Sequence, residues 1–353
     1  MSIDKDTSLL FSLLRFALWH SKNEFPLELS EEESLRMLTS ASKQAVTGLM
    51  ADALIQNDVQ MPQRCVFEII GTLEQIKNQN KIVNQGVIEL HNLMEEAGIN
   101  YSVMKGQAVA VYYPETLYRQ AGDIDYYCAP KDFDRSLAVV KEMWKVKPEI
   151  HGSEKHADYD YQGNRYEPHY ILTDLHNKKN NTYLKKLVED DLGAEVDIQG
   201  ARVKTFSPTL HALYIFLHLY FHLVEVGVGL RQICDLAMIL KEDVDVLLLR
   251  TYLESLGMRR AFAACSSILV DYLGMDAKYL PYEIDAKDRK YGRRMLGVIL
   301  YRGNMGHYNK RNGWSGFGHQ VESAFIKISH FVKFFWLSPG YHIGWIRDCF
   351  CRL

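Results

Sequence analysis

Long stretches of helical periodicity lie on both sides of a shorter, strand-rich stretch, and this pattern limits the folds open to the chain. Residues 66–94 repeat apolar side chains at helical spacing, and Ser30 followed by Glu33 predicts a capping box at a helix start. The helical pattern returns from Ser207-Pro208 onward. We therefore predict an N-terminal helical region at 1–95, an α/β core at 96–200 and a C-terminal helical domain at 201–353.

The core begins with an alternation of strands and helices. Residues 101–104 and 124–129 are rich in strand-forming residues, and a short helix is predicted between them at 107–113. Pro130 opens another predicted helix, which runs to about residue 145. This order is typical of a small sheet covered by helices.

A hairpin is predicted next. The turn residues Gln162-Gly163-Asn164 separate two strand-like segments at 156–161 and 165–172, and 194–199 is a candidate edge strand. Five helices are predicted in the C-terminal region, at 210–224, 230–240, 243–256, 259–273 and 285–300, and a last helical region is predicted from about residue 321.

Composition excludes several classes of protein. Hydrophobic residues make up 47% and charged residues 24%, as in ordered globular proteins, so a disordered chain is not indicated. A formal net charge of -3 gives no strong bulk signal for nucleic acid. The 6 scattered cysteines predict reduced thiols in a cytoplasmic protein. The most apolar stretches, 210–228 and 324–344, carry His, Lys or Glu residues, so no membrane partner is expected.

Two carboxylates one residue apart are the strongest functional signal. In a strand, Asp123 and Asp125 point to the same face, while Ile124 points to the core. Carboxylates so close repel each other unless a cation lies between them, and a hard divalent metal such as Mg²⁺ (or Mn²⁺) prefers such oxygen ligands. A solvated strand end is the alternative interpretation.

Phosphate-binding features surround these acids. Gly122 lets the backbone approach a ligand, and Lys105-Gly106 ends the first predicted strand where a helix begins. Backbone amides there could donate hydrogen bonds to phosphate oxygens.

A third carboxylate would complete a two-metal site, and the sequence offers two candidates. Glu167 lies in the second arm of the predicted hairpin, with His169 on the same face by the period of two. Asp197 lies in the candidate edge strand. We favour Glu167, because the hairpin follows the first α/β unit closely, although Pro168 limits the hydrogen bonding of its strand.

These residues resemble the largely uncharacterised bacterial nucleotidyltransferase family of the polymerase-β-like superfamily. The resemblance covers about residues 95–240. It is carried by Met104-Lys105-Gly106, Tyr113-Pro114, Arg119, Gly122-Asp123-Ile124-Asp125, Glu167-x-His169, His218, His222 and the segment 227–235 with Arg231.

The resemblance implies a fold and a reaction. The fold is α+β, with a small mixed β-sheet nucleotidyltransferase core embedded between N-terminal and C-terminal helical regions. Asp123, Asp125 and Glu167 would bind Mg²⁺, and the α-phosphorus of a nucleoside triphosphate such as ATP would be attacked with pyrophosphate leaving. The wider superfamily has Gly-Ser where this chain has Lys105-Gly106, and the lysine charge could replace the lost hydroxyl contact.

Further polar residues have two interpretations each. His218 and His222 are four apart, so on a helix they share a face and could ligate a metal or lie on the substrate side, or they could pack on the core. Arg231 could reach a phosphate or form a salt bridge with Asp235. The segment 303–318 combines cations with aromatic residues and is either an acceptor contact or an ordinary surface loop.

The sequence therefore predicts a cytoplasmic, Mg²⁺-dependent nucleotidyltransferase. Lys105, Gly106 and Gly122 would approach the triphosphate, and Arg119 would steady the phosphates or the Asp loop. The acceptor could be a small molecule, an RNA or a protein. The alternative is a catalytically inactive binding or regulatory module with the same fold.

Overall fold

A computed structural model of the protein describes residues 3–21, 25–150, 156–304 and 328–351. The predicted loop at 303–318 beyond residue 304, and the start of the last predicted helical region at 321, lie outside these ranges.

Four helices precede the first strand: α1 (Lys5–Trp19), α2 (Glu31–Lys43), α3 (Thr47–Gln56) and α4 (Gln63–Glu96). The predicted capping box is confirmed at the start of α2. The Glu33 amide donates to Ser30 Oγ at 3.3 Å, and the Ser30 amide donates to Glu33 Oε2 at 3.1 Å. The capping box thereby gives acceptors to two backbone N–H groups that the helix itself leaves without one.

A seven-stranded mixed sheet forms the centre of the protein, in the order β3-β4-β5-β2-β1-β7-β6. The strands are β1 (Tyr101–Met104), β2 (Ile124–Cys128), β3 (Glu149–Ile150), β4 (Ala157–Tyr161), β5 (Asn164–His169), β6 (Ala194–Ile198) and β7 (Ala201–Thr205). The helices α5 (Gly106–Ala110), α6 (Pro130–Met143) and α7 (Lys178–Glu189) connect them. The pairs β2–β5 and β1–β7 are parallel and the others are antiparallel.

Six further helices follow the sheet: α8 (Pro208–Glu225), α9 (Leu230–Leu240), α10 (Val246–Ser255), α11 (Arg259–Asp271), α12 (Ala286–Arg302) and α13 (Pro339–Cys351). Residues 328–334 are also helical. In the described ranges, no helix is both long enough and apolar enough to cross a membrane. The α+β fold class, a mixed sheet between two helical regions, is confirmed.

The two faces of the sheet have different neighbours. Ile124, Tyr126 and Cys128 of β2 are buried in a cluster with apolar residues of α4 and α6. Asp125 and Tyr127 alternate with them and therefore face the other side. On that side Tyr127 packs against Phe206, with ring centroids 5.8 Å apart, just before α8.

The N-terminal and C-terminal helices share one hydrophobic cluster, which contains buried residues from α1 to α3 and from α8 to α12. Two hydrogen bonds attach α1 to the segment after α11. Arg15 Nε donates to the Tyr272 carbonyl at 2.9 Å, and Trp19 Nε1 donates to the Leu273 carbonyl at 2.7 Å. The division into three regions stays a prediction. Cys65, Cys128, Cys234 and Cys265 are buried free thiols.

Several elements differ from prediction. The second hairpin strand ends at His169 and not at residue 172, and α5 ends at Ala110 and not at residue 113. The sequence analysis missed α7 and β7. Helix α7 fully buries only Leu184, and its apolar stripe with helical spacing is limited to Tyr183, Leu184, Leu187 and Val188.

Candidate functional site

Asp125 and Glu167 lie side by side on the face of the sheet that points away from α4 and α6. In the parallel pairing of β2 and β5, Asp125 is opposite Glu167 and Tyr127 is opposite His169. Residues paired in register project from the same face, so the two acids and the histidine converge. Ile124, between the two aspartates, is buried in the core as predicted.

Asp125, Glu167 and His169 form a cluster that could hold a metal ion, since one ligand atom from each lies within 4.8 Å of the others. His169 Nε2 is 3.1 Å from Asp125 Oδ1 and 3.9 Å from Glu167 Oε2. Two carboxylates and an imidazole suit a divalent cation. Within the ranges that the structure describes, no other group of three or more His, Cys, Asp or Glu side chains could hold a metal ion in this way.

Asp123 lies at the mouth of this cluster and not inside it. It precedes β2 at an exposed position, outside the set of atoms within 4.8 Å. Burial of its carboxyl group and the nearby charge of Asp125 raise the pKa of Asp123, whereas Arg165, Lys105 and Arg231 act in the opposite direction. Asp123 is therefore in electrostatic contact with the cluster.

Lys105 makes an ion pair that the sequence analysis did not predict. Its Nζ atom is 2.7 Å from Asp125 Oδ1, and both side chains are largely buried. The Lys105 backbone has φ +52°, a left-handed conformation, and its amide donates to His211 Nε2 at 3.2 Å. Burial lowers the pKa of Lys105, but the neighbouring Asp125 raises it more, so the ammonium group stays charged.

The two paired carboxylates have opposite pKa shifts. Burial raises the pKa of Asp125, but the charge of Lys105 and the hydrogen bond from His169 bring it down to about 2. Burial and the charge of Asp125 raise the pKa of Glu167 to about 7. Burial lowers the pKa of His169. Ionisation of Glu167 next to the charged Asp125 is unfavourable because the two negative charges repel each other. Such crowded carboxylates are typical of a site that binds a cation.

The two glycines place backbone close to the acids. A Cβ atom on Gly106, whose φ is +44°, would lie 3.5 Å from the Asp123 carbonyl oxygen. A Cβ atom on Gly122 would lie 3.5 Å from a guanidinium nitrogen of Arg231. The start of α5 and the loop before β2 therefore run against each other.

Arg119 binds Asp235 and has no hydrogen bond to Asp123, Asp125 or Glu167 among the described residues. Its Nε and Nη2 atoms bind the two carboxylate oxygens of Asp235 at 2.6 and 2.8 Å, and the Tyr113 hydroxyl donates to the same carboxylate at 2.7 Å. All three side chains are buried. This arrangement fixes the segment before the Asp loop to α9.

Arg231 contacts the Asp loop instead. Its Nη1 atom donates to the carbonyls of Gln120 and Ala121 at 3.1 and 3.2 Å. Arg231 does not form the salt bridge with Asp235 that was one of its two predicted roles, because Asp235 binds Arg119. Burial and the charge of Arg119 lower the pKa of Arg231, and its buried Nε has no hydrogen-bond partner among the described residues.

His218 and His222 face the site from α8. Their ring centroids are 4.2 Å apart. Burial and the charge of Lys105 lower the pKa of both rings, for His222 to about 4, so they are neutral imidazoles beside the ion pair. They are outside the metal-ligand cluster, and His222 Nδ1 has no hydrogen-bond partner in the part of the chain that the structure describes.

Asp197, the other candidate for a third carboxylate, lies at the far edge of the sheet. Its strand β6 is separated from β2 by β1 and β7. Asp197 is exposed and accepts a hydrogen bond from the Gly200 amide at 2.9 Å, which stabilises the β6–β7 turn.

An amide network behind the site was also missed. Gln107 Nε2 donates to Asn84 and, at 3.3 Å, to Asn80. Asn80 Nδ2 in turn donates to the carbonyls of Leu117 and Arg119 at 2.9 and 2.8 Å. Two asparagines four apart on a helix share a face, and this spacing in α4 was the available signal.

Comparison with known proteins gave one family. A family model described as uncharacterised nucleotidyltransferase matches residues 30–274, which is more than half of the chain. A comparison with curated proteins found no match. Among solved structures, an antigenic nucleotidyltransferase-like protein from Paracoccidioides brasiliensis is similar over 56% of this chain and 94% of that chain, with 14% identity and a TM-score of 0.34.

Proposed function

Because the chain belongs to the uncharacterised nucleotidyltransferase family, we propose that it is a Mg²⁺-dependent enzyme of the polymerase-β-like type. It transfers a nucleotidyl group from a nucleoside triphosphate to an acceptor and releases pyrophosphate. The observation that carries this proposal is the register of β2 and β5, which sets Asp125 directly beside Glu167.

The acids fit a divalent metal ion in chemistry and position. Asp125 and Glu167 offer oxygen ligands on one face, and Asp123 can complete the set from the mouth of the site. The raised pKa of Glu167 reflects crowded negative charge that a cation would relieve. A bound Mg²⁺ supplies positive charge that stabilises the phosphate oxygens during transfer.

The surrounding residues hold the reacting groups. Lys105 Nζ contacts Asp125 in the structure, and a metal ion held by Asp125 would leave the lysine charge available to the triphosphate. Gly106 brings backbone close to Asp123, so a phosphate bound at Lys105 lies near the acids. Arg231 fixes the Asp loop through two carbonyls. Positioning and charge stabilisation supply most of the rate in phosphoryl and nucleotidyl transfer.

The test is transfer of label from α-labelled triphosphates, with Mg²⁺ and a broad set of acceptors. Asp125→Asn keeps the shape of the side chain and removes its charge, and we expect activity to fall by roughly 100-fold or more. Asp197→Asn is the matched control, because it makes the same change on a strand of the same sheet but outside the site. Transfer that survives Asp125→Asn combined with Asp123→Asn would exclude the proposal.

A second candidate is a binding or regulatory module that has lost turnover. The ion pair between Lys105 and Asp125 favours it, because the ammonium group already occupies one oxygen of the central carboxylate. Calorimetric binding of triphosphate without pyrophosphate release across the acceptor panel would support this module. Pyrophosphate release that depends on Asp125 would exclude it.

A further inference from the structure

A cavity of about 610 Å³ opens next to Tyr127 of β2, two residues along the strand from Asp125. It lies between the end of β2, the segment after β5, helix α7 and helix α13. Its volume is in the range of small-molecule sites, which is roughly 300–1,000 Å³.

The cavity begins one residue pair beyond the acids. Tyr127 lines it, and Tyr127 is opposite His169 on the same sheet face as Asp125 and Glu167. Two residues along a strand span about 7 Å. A molecule that extends from the cavity along this sheet face by that length would reach Asp125.

The cavity and the triphosphate position lie on opposite sides of Asp125. In the antiparallel pairing of β1 and β2, Met104 is opposite Asp125, so Lys105 and Gly106 continue towards the Asp123 end. The cavity lies at the Tyr127 end. Nucleotidyl transfer requires the attacking and leaving oxygens on opposite sides of the phosphorus, and this layout provides that.

The walls of the cavity combine apolar side chains with charged groups of both signs. Leu172 and Leu184 are buried lining residues, and Ile171 adds an apolar side chain. The lining carboxylates are engaged: Asp174 accepts from the His176 amide and from Asn181 Nδ2, and Asp348 Oδ2 is 2.9 Å from His176 Nδ1. The lining also has the cations Lys178, Lys185 and Arg347, so both signs of charge are present and neither is in strong excess.

We propose that this cavity binds the acceptor, and that the acceptor is a small hydroxyl-bearing molecule with an apolar body. The inference rests on the proposed function. The acceptor oxygen forms a bond to the α-phosphorus, the bond from that phosphorus to the bridging oxygen breaks, and pyrophosphate leaves. The hydroxyl proton passes to water. A nucleic acid acceptor would need a basic track, which these walls do not provide.

Neighbouring lysines on α7 allow a matched test. Lys185 and Lys186 are both exposed, but only Lys185 lines the cavity. Lys185→Trp fills the cavity mouth, and Lys186→Trp makes the same change outside it. Thr182→Trp fills the cavity from a second exposed position. The probes are phenyl β-glucoside and hexyl β-glucoside, with a short oligoadenylate RNA as the macromolecular alternative.

Binding of the probes to the full chain is measured by ligand-observed NMR without triphosphate. We expect at least one glucoside to bind the wild type and Lys186→Trp equally, and to bind Lys185→Trp and Thr182→Trp roughly tenfold more weakly or worse. The proposal is overturned if neither glucoside binds the wild type, if both filled variants bind like the control, or if RNA accepts label equally in all variants. Failure of the proposed function shows separately, as absence of pyrophosphate release from triphosphate with any acceptor.

Discussion

At the scale of single residues, the main feature of the site is a buried pair of opposite charges. Lys105 and Asp125 form an ion pair in which each side chain is mostly shielded from water. Removing one partner of such a pair leaves the other charge uncompensated, which costs about 3–5 kcal/mol in measured cases. The same lysine also competes with any metal ion for Asp125.

Lys105→Met tests both consequences. We expect the free energy of unfolding to fall by about 3 kcal/mol, because Asp125 stays buried without a cation. We also expect Mn²⁺ to raise the Tm of this variant more than that of the wild type, since the freed carboxylate oxygen becomes a metal ligand. Urea unfolding and thermal melts with and without Mn²⁺ measure the two effects.

Lys204→Met is the control for this substitution. Lys204 pairs with Glu95 at 2.6 Å, but both side chains are more than one third exposed, so the pair is screened by solvent. Its loss should change stability by less than about 1 kcal/mol. An equal Mn²⁺ response in Lys105→Met and the wild type would contradict the competition between lysine and metal.

Part of the site follows from local sequence and part does not. The period of two in a strand predicted that Asp123 and Asp125 share a side, and the hairpin predicted that Glu167 and His169 come near them. The partner of Arg119 could not be predicted, because Asp235 lies 116 residues away and only helix packing brings the two together. Lys105 was predicted to contact phosphate, whereas in the structure its side chain pairs with Asp125. The sequence could not show this, because the direction of a flexible side chain depends on its surroundings in the fold.

At the scale of elements, α4 determines how closely the helical layer approaches the sheet. Its buried residues pack on β2, and Gly86 lies at the closest contact. A Cβ atom there would lie 2.5 Å from Asn164 Nδ2, 2.8 Å from the Tyr166 hydroxyl and 3.0 Å from Ile124 Cδ1. All three neighbours are buried, so they have little room to move.

Two glycines on α4 therefore give opposite predictions. Gly86→Ala should lower the free energy of unfolding by about 1–3 kcal/mol, because the added methyl group overpacks the interface. Gly71→Ala, on the same helix, meets nothing within 4 Å and should raise it by about 0.5–1 kcal/mol through helix propensity. Urea denaturation measures both. If both substitutions stabilise the protein, α4 does not pack on the sheet as described.

The sequence predicted those helices and strands that carry a clear local pattern, such as helical periodicity or a capping box. Long helices such as α4 and α8 carry enough apolar residues to show their period, and Ser30 with Glu33 marked the start of α2. Helix α7 was missed because its apolar stripe is short and most of its residues are polar, with Leu184 alone fully buried. Strand β7 was missed although it has the same length as β2, and its place in the sheet depends on pairing with β1, a distant segment.

At the scale of the whole molecule, the core is closed by α8, which runs behind the site with many buried residues. His211 on this helix is fully buried and accepts the amide hydrogen of Lys105. Burial lowers its pKa to about 4. The unfolded chain, with an ordinary histidine, binds a proton near pH 6.5. Between these two values the unfolded state holds more protons, so acid favours unfolding.

His211→Gln isolates this contribution. The wild type should lose about 2 kcal/mol between pH 7 and pH 5 through His211, and the variant, whose amide oxygen can still accept from Lys105, should lack that loss. Other groups also titrate in this range: His222 and His330, with lowered pKa values, act in the same direction, and Glu167, with its raised pKa, acts in the opposite one. They do so equally in both proteins. The measurement is the free energy of unfolding by urea at the two pH values. Equal pH slopes for wild type and variant would mean that His211 is not held neutral by burial.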